Sequence, residues 1–287
     1  ALILAIALGN IIAKGISSPI KHVIRTAKGG SEGRYEAGGT VTSGIKEINS
    51  LTTAIYDMAE ILKQQELLRK KLTADVAHEL RTPLATLQSH LEAMIDGIWE
   101  ADEARLKSCH EEIIRISRMV GDLEKLAKYE GENLSLHKEE LNLTELIRRI
   151  AMNFEKQLLD QKIKLALPTE EIRLQADRDK ISQVIINLLS NAVKYSKEGG
   201  RIEVSVAEGD ISVEIKIKDN GIGIQPEHLK HIFERFYRVD SSRSRLTGGS
   251  GIGLAITKAI VEAHGGSIEV ESKEGIGSVF ILKIPKA

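Results

Sequence analysis

In the stretch DVAHELRTPL, Asp75 to Leu84, a nucleophile, a carboxylate and a hydroxyl fall close together: His78, Glu79 and Thr82. On a helix, His78 and Thr82 are four residues apart and share a face. Val76 and Leu80 belong to an apolar stripe, which turns His78 towards solvent. A solvated imidazole is mostly neutral and keeps a lone pair that can attack an electrophile. Glu79 stands about 100° round the helix and can take or orient the proton on the other ring nitrogen. Pro83 lacks the N–H that would reach the carbonyl of Glu79, which predicts a bend beside the nucleophile and access for a second domain. Taken alone, the histidine reads better as an ordinary surface residue next to a tolerated proline. The whole string does not.

Four further stretches suit a phosphate-bearing ligand. In NLLSNAVKYS, residues 187–196, Asn187 and Asn191 lie one turn apart at the edge of the apolar stripe Ile181, Val184, Ile185, Leu188 and Ala192. Uncharged oxygen donors at that spacing suit Mg²⁺, which needs few protein ligands when phosphates and water complete its shell. Lys194 and Tyr195 follow a turn later, the lysine placed to face phosphate oxygens. In ISVEIKIKDNGIGI, Ile211, Val213, Ile215 and Ile217 share one parity and Asp219 continues it. Its carboxylate then points to the buried face at a strand end and needs a donor, such as the exocyclic amine of a purine. Gly221 and Gly223, with Ile224 behind them, let the chain turn close to a ligand. An Asp-Asn-Gly turn that merely ends a strand would look the same.

GGSGIGL sets Gly248, Gly249, Gly251 and Gly253, then Leu254, at the mouth of a helix, where backbone N–H groups bind phosphate. It has neither the Walker A spacing nor that of the dinucleotide fingerprint. Between the two glycine motifs, HIFERFYRVD offers Phe233, Phe236 and Tyr237 with Arg235 and Arg238. That composition fits a lid with aromatic anchors and basic side chains, or a small packing helix.

Those residues need elements to hold them. Ile16, Ile20, Val23, Ile24 and Ala27 give residues 14–27 a helical period, and KGGSEGRYEAGG breaks it as a connector. Ile48, Leu51, Ile55, Met58 and Leu62 then form a heptad seam. Leu72, Val76, Leu80, Leu84, Leu87, Leu91 and Met94 continue it, DGIWEADE interrupts, and Ile113, Ile116, Val120, Leu123 and Leu126 make a second stripe. The result is a helical hairpin whose apolar faces are too narrow to bury each other, so two copies pairing into a four-helix bundle predict a homodimer. After YEGENLSLHKEE, read as a polar linker, the texture becomes mixed α/β. Strands at KIKLAL, IRLQA, RIEVSVA, ISVEIKIKD, SIEVES and GSVFILKI surround helices over 178–197 and 252–264, giving a sheet of about five strands under a helical layer.

Charged residues are 28% and aromatics 3%, which leans towards helices and coiled coil. The formal net charge of −1, with Lys and Arg dispersed, argues against nucleic-acid binding. Cys109 stands alone, so no disulfide framework exists and core packing is its natural role. ALILAIALGNIIA is shorter than the ~20 residues of a membrane helix. It reads as the cytoplasmic end of a transmembrane helix in a fragment or processed chain.

HELRTPL, NLLSNAVKYS, DNGIGI, FERFYR and GGSGIGL, in this order, resemble the H, N, G1, F and G2 boxes of two-component sensor histidine kinases. The resemblance covers about residues 14–287 and implies a multidomain chain. Residues 1–13 would end a transmembrane helix, and 14–64, where Pro19 and Glu47 fit, would form an all-α, coiled-coil HAMP-like linker. Residues 65–133 would be the dimerisation and histidine-phosphotransfer hairpin of a four-helix bundle, and 134–287 an α/β-sandwich ATP-binding domain of Bergerat type. The resemblance further implies that His78 accepts a phosphoryl group from ATP, with Glu79 as acid/base partner, and passes it to an aspartate of a response regulator. By the same resemblance Asn191, helped by Asn187, holds Mg²⁺, Asp219 reads adenine and the glycines around 249–253 cradle phosphate. Thr82 would serve dephosphorylation of the regulator, and the chain would face the cytoplasm from a bacterial inner membrane. Gyrase-, Hsp90- and MutL-like ATPases share the Mg²⁺ asparagine but carry a glutamate one turn earlier to activate water. Asn187 stands there instead, an amide that cannot act as a base. A silent nucleotide domain on a coiled-coil scaffold would predict a broken motif, and none is broken.

Overall fold

Helix α1 spans Ser18–Ser31 and helix α2 spans Lys46–Ile95. Pro19 sits in the first turn of α1, where a missing N–H has no helical partner to lose. α1 takes in the first glycine pair of the expected connector, since glycine is tolerated near a helix C-terminus. The computed structural model describes residues 2–3, 16–31, 45–130, 135–239 and 250–286. Most of the apolar stretch at 1–13 therefore lies outside the described residues, as does the remainder of the connector. Among the described residues no helix is long and apolar enough to cross a membrane.

The chain divides into two compact units, Ala1–Thr82 and Pro83–Ala287. In the first, the hydroxyl of Tyr56 and Nδ1 of His22 are 3.0 Å apart, tying α2 to α1. The buried Thr52 donates its hydroxyl to the Ile48 carbonyl at 2.7 Å. Leu51, Met58 and Leu62 of the heptad seam stay exposed.

The division between the units falls inside α2, between Thr82 and Pro83, yet the helix continues through the proline. Helix α3 spans Glu103–Glu130. Asp102 caps it by accepting the backbone N–H of Arg105 at 2.8 Å, and Arg105 lies over the Trp99 ring at 5.1 Å. Met119 and Leu126 are buried, whereas Leu84, Leu91, Ile113 and Val120 remain exposed along the stripes expected to meet another copy.

The rest of the second unit runs β1 (Lys138–Asn142), α4 (Leu143–Met152), α5 (Glu155–Asp160), β2 (Lys164–Ala166), β3 (Arg173–Asp177) and α6 (Arg178–Tyr195). It continues with β4 (Arg201–Glu208), β5 (Ser212–Asp219), α7 (Pro226–Leu229), α8 (Gly253–Ala263), β6 (Ser267–Lys273) and β7 (Gly277–Pro285). The main sheet has five strands in the order β2-β4-β5-β7-β6. Only the β2–β4 pair is parallel; the other three pairs are antiparallel. Across it Val204, Ile217 and Phe280 stand in register, as do Ile215 with Leu282 and Val213 with Ile284. All are buried, and α6 packs on β5 while α8 packs on β6 and β7. Burying each such side chain contributes roughly 1.5–3 kcal/mol. The opposite face alternates into charge, as where Lys216 meets Glu214 at 2.7 Å.

Three expectations need correction. The segment read as a polar linker is partly the end of α3 and partly β1. IRLQA does not join the main sheet but pairs antiparallel with β1 in a separate two-stranded sheet. Ile211 precedes β5 and is 84% exposed, so the buried parity begins at Val213. α4, absent from the expected elements, starts where Asn142 Oδ1 accepts the N–H of Glu145 at 3.0 Å.

Candidate active site

In the first unit, His78 is exposed on α2, and its imidazole makes no hydrogen bond among the described residues. Glu79 is half-buried and no hydrogen bond joins it to His78, as adjacent helical positions do not face each other. Thr82 is exposed, and its hydroxyl donates to the His78 carbonyl over a long 3.5 Å.

In the second unit, α6, the ends of β5 and β7, α7 and the start of α8 enclose a cleft of about 730 Å³, within the ~300–1,000 Å³ of small-molecule sites. Asn187, Asn191, Lys194 and Tyr195 line it from α6, with Asp219 from β5 and Gly223 and Ile224 just beyond. Arg238 lines it from the lid motif, and Gly251, Gly253 and Leu254 from the mouth of α8. The cleft thus gathers eleven of the fifteen residues expected to bind nucleotide. Gly221, Arg235 and Phe236 do not line it, and Gly249 lies outside the described residues.

These absences have physical reasons. Gly221 acts through the shape of the loop: a Cβ there would lie 2.2 Å from the Tyr195 carbonyl. That same carbonyl accepts the N–H of Ile222 at 3.1 Å, strapping the loop to the end of α6. Phe236, itself at φ 61, presents its backbone to Gly251, which has φ 72 and no room for a side chain.

Two side chains have an orientation fixed by their neighbours. The Asn187 amide nitrogen donates to the Gly253 carbonyl at 3.1 Å and lies 3.4 Å from Thr257 Oγ1. A backbone carbonyl can only accept, so the amide nitrogen must face it and the oxygen Oδ1 faces the other way. Asp219 is 7% exposed, and its Oδ1 accepts the N–H of Gly221 at 2.8 Å. Burial pushes its carboxyl pKa up, against the pull of backbone donors at Gly221 and Ser278. Lys194 rests its ammonium 5.0 Å from the Tyr195 ring centroid, at the same wall. Among the described residues no group of three His, Cys, Asp or Glu could hold a metal. A cation here would rely on amide oxygens, phosphates and water, which is the shell Mg²⁺ prefers.

The cleft also contains residues the motifs did not announce. Asp122 of α3 accepts the hydroxyl of Ser250 at 2.7 Å. His228 Nδ1 meets the Tyr237 hydroxyl at 2.7 Å, and Gln225 donates to Glu274 at 2.8 Å. Asp122 sits on a charged hairpin helix with no local signal; only tertiary packing brings it here.

Residues 176–287 match the histidine kinase-, DNA gyrase B- and HSP90-like ATPase family, so the cleft is that of an ATPase-type domain. Residues 68–132, which include His78, match the His Kinase A (phospho-acceptor) domain. The chain belongs to the two-component sensor histidine kinases. It is 38% identical over 246 residues to the sensor histidine kinase WalK of Bacillus subtilis, a match covering 83% of this chain and 40% of that protein. The chain thus spans about 40% of the length of that curated relative. Among solved structures it is similar to the Acinetobacter baumannii histidine kinase AdeS, at 32% identity and a TM-score of 0.62, covering 73% of this chain and 98% of that one. It is also similar to histidine kinase ThkA, solved in complex with response regulator protein TrrA, at 30% identity and a TM-score of 0.65 over 81% of this chain and 66% of that one.

Proposed function

We propose that this chain is the signalling end of a membrane-bound sensor kinase that phosphorylates its own His78 from ATP and hands the phosphoryl group to a response regulator. The observation that carries the reading is an exposed, unengaged imidazole on the same chain as a cleft of nucleotide size whose amide and buried carboxylate are already oriented. A ring nitrogen of His78 attacks the γ-phosphorus; the N–P bond forms as the bridging P–O bond breaks, and ADP departs. A rotation of the two side chains brings the Glu79 carboxylate to the other ring nitrogen, where it takes the proton. In the second step a regulator aspartate attacks the same phosphorus, the N–P bond breaks and the imidazole regains its proton. The regulator complex of the related ThkA supports a partner of this class.

In the cleft, Asp219 accepts from the exocyclic amine of adenine, with Tyr195, Gly223 and Ile224 close by. Lys194 and Arg238 face the phosphates, and the N–H groups of Gly251, Gly253 and Leu254 cradle them. Arg235 and Phe236 shape the root of the lid. Asn191 and Asn187 are the residues that would hold Mg²⁺, which when bound neutralises phosphate charge. Outside the cleft, the exposed leucines, isoleucine and valine of α2 and α3 suit pairing with a second copy into a four-helix bundle. Residues 14–64 act as a HAMP-like linker.

The test is incubation with γ-labelled ATP and Mg²⁺. An acid-labile, alkali-stable phosphoprotein should form, and His78→Gln should remove the label while ADP binding stays intact. Label surviving that substitution would reject His78 as the acceptor.

A further inference from the structure

Thr257 lies on α8, one turn after Gly253, and is fully buried. Its hydroxyl donates to the Gly253 carbonyl at 2.9 Å. A buried threonine bonding back four residues is a common helical habit and by itself implies nothing. Here the same oxygen also lies 3.4 Å from the amide nitrogen of Asn187. A threonine hydroxyl has one hydrogen, and that hydrogen is committed to Gly253. What Thr257 shows to Asn187 is therefore a lone pair. A flipped Asn187 amide would set its oxygen against two other oxygens, at 3.1 Å and 3.4 Å, with no hydrogen between them. The amide also packs on the first turn of α8, its Cγ 3.8 Å from where a Cβ on Gly253 would stand. The orientation that puts Oδ1 away from α8 is thus enforced by a carbonyl and by a side chain.

We propose that Thr257 is a positioning residue: its hydroxyl locks the Asn187 amide with the oxygen presented to the cleft, and so sets how much divalent cation nucleotide binding requires. The inference rests on the proposed binding of Mg²⁺ and nucleotide in this cleft. Thr257 touches neither. It acts through Asn187 as an outer partner acts on a metal ligand, and loss of such partners typically weakens metal binding about 10- to 100-fold.

The experiment measures ADP binding by calorimetry across a Mg²⁺ titration and in EDTA. Thr257→Val keeps the shape and removes the O–H; Thr257→Ala removes it with less bulk; Thr257→Ser keeps it. The valine and alanine variants should each need about 10-fold more Mg²⁺ for half-maximal enhancement of ADP binding. Their affinity for ADP in EDTA should match the wild type, and the serine variant should behave as wild type throughout. A wild-type Mg²⁺ dependence in a folded valine or alanine variant overturns the proposal. So does an equal loss of ADP binding with and without Mg²⁺, which marks a merely structural hydroxyl. If ADP binding to the wild-type chain ignores Mg²⁺ altogether, the underlying reading of the site has failed, and that result is distinct from the other two.

Discussion

Replacing Asp219 by asparagine should move stability and binding in opposite directions. The carboxyl is almost wholly enclosed, and burial raises its pKa in the folded chain despite the donors at Gly221 and Ser278. Between the ordinary carboxylate value and that raised value, the folded chain holds a proton that the unfolded chain has released. Stability therefore falls as pH rises through that window, and above it the ionised carboxylate is a burden on the fold. Asparagine carries no such burden, so the melting temperature of Asp219→Asn should equal or exceed that of the wild type. Binding should suffer. The Gly221 N–H at 2.8 Å claims the asparagine oxygen, leaving its NH₂ opposed to the amine of adenine. Losing a hydrogen bond to a charged acceptor costs about 1.5–3 kcal/mol, or about 10- to 150-fold in Kd. Calorimetry with ADP and a thermal melt on both proteins at neutral pH read the two effects. Wild-type affinity should also drop as pH falls towards the raised pKa, while the variant stays flat. An unchanged Kd would mean adenine is read elsewhere, and a lowered melting temperature would refute the claim about the buried charge.

Asn191→Ala should reduce labelling of His78 by at least about 100-fold while leaving ADP binding in EDTA unchanged, as calorimetry and autoradiography would show. If the chain also dephosphorylates its regulator, Thr82→Ala should keep most autophosphorylation and lose that activity, because exposed Thr82 shares the face of His78 one turn along α2. Equal rates of phosphate loss from purified phosphorylated regulator with the two proteins would remove that role. His264 is buried, with Nδ1 donating to the Ile260 carbonyl at 2.8 Å and Nε2 accepting the Asp177 N–H at 3.1 Å. Burial lowers its pKa, so its contribution is complete above the ordinary value near 6.5 and is lost as pH falls from there towards the lowered one. His264→Gln should flatten that limb in melts across pH; an unaltered slope would assign it to other groups.

The parts of this molecule written in local chemistry were legible. Strands β4 and β5 alternate so regularly that burial of Asp219 followed from parity, and α6 and α8 end within a residue or two of expectation. β1 was not legible because only Leu141 of its five residues is buried; its strand character comes from pairing with β3, which sequence does not display. α4 could have been found. Leu143, Leu146, Ile147 and Ile150 carry the helical period, and Asn142 with Glu145 forms a start signal. In the cleft, the motif asparagines and glycines announced themselves by spacing. Asp122, Glu274 and Thr257 could not, because each matters only through a neighbour distant in the chain.

The hydrogen bond from Ser250 to Asp122 joins the mouth of α8 to α3. Thermodynamic reciprocity then binds the two. If nucleotide in the cleft weakens that bond by some factor, pulling α3 away must strengthen nucleotide binding by the same factor. If nucleotide tightens it, moving the helix must loosen the nucleotide. Were nucleotide to alter that bond, a displacement of α3 would be readable as a change in ligand affinity, and ligand concentration as a force on α3.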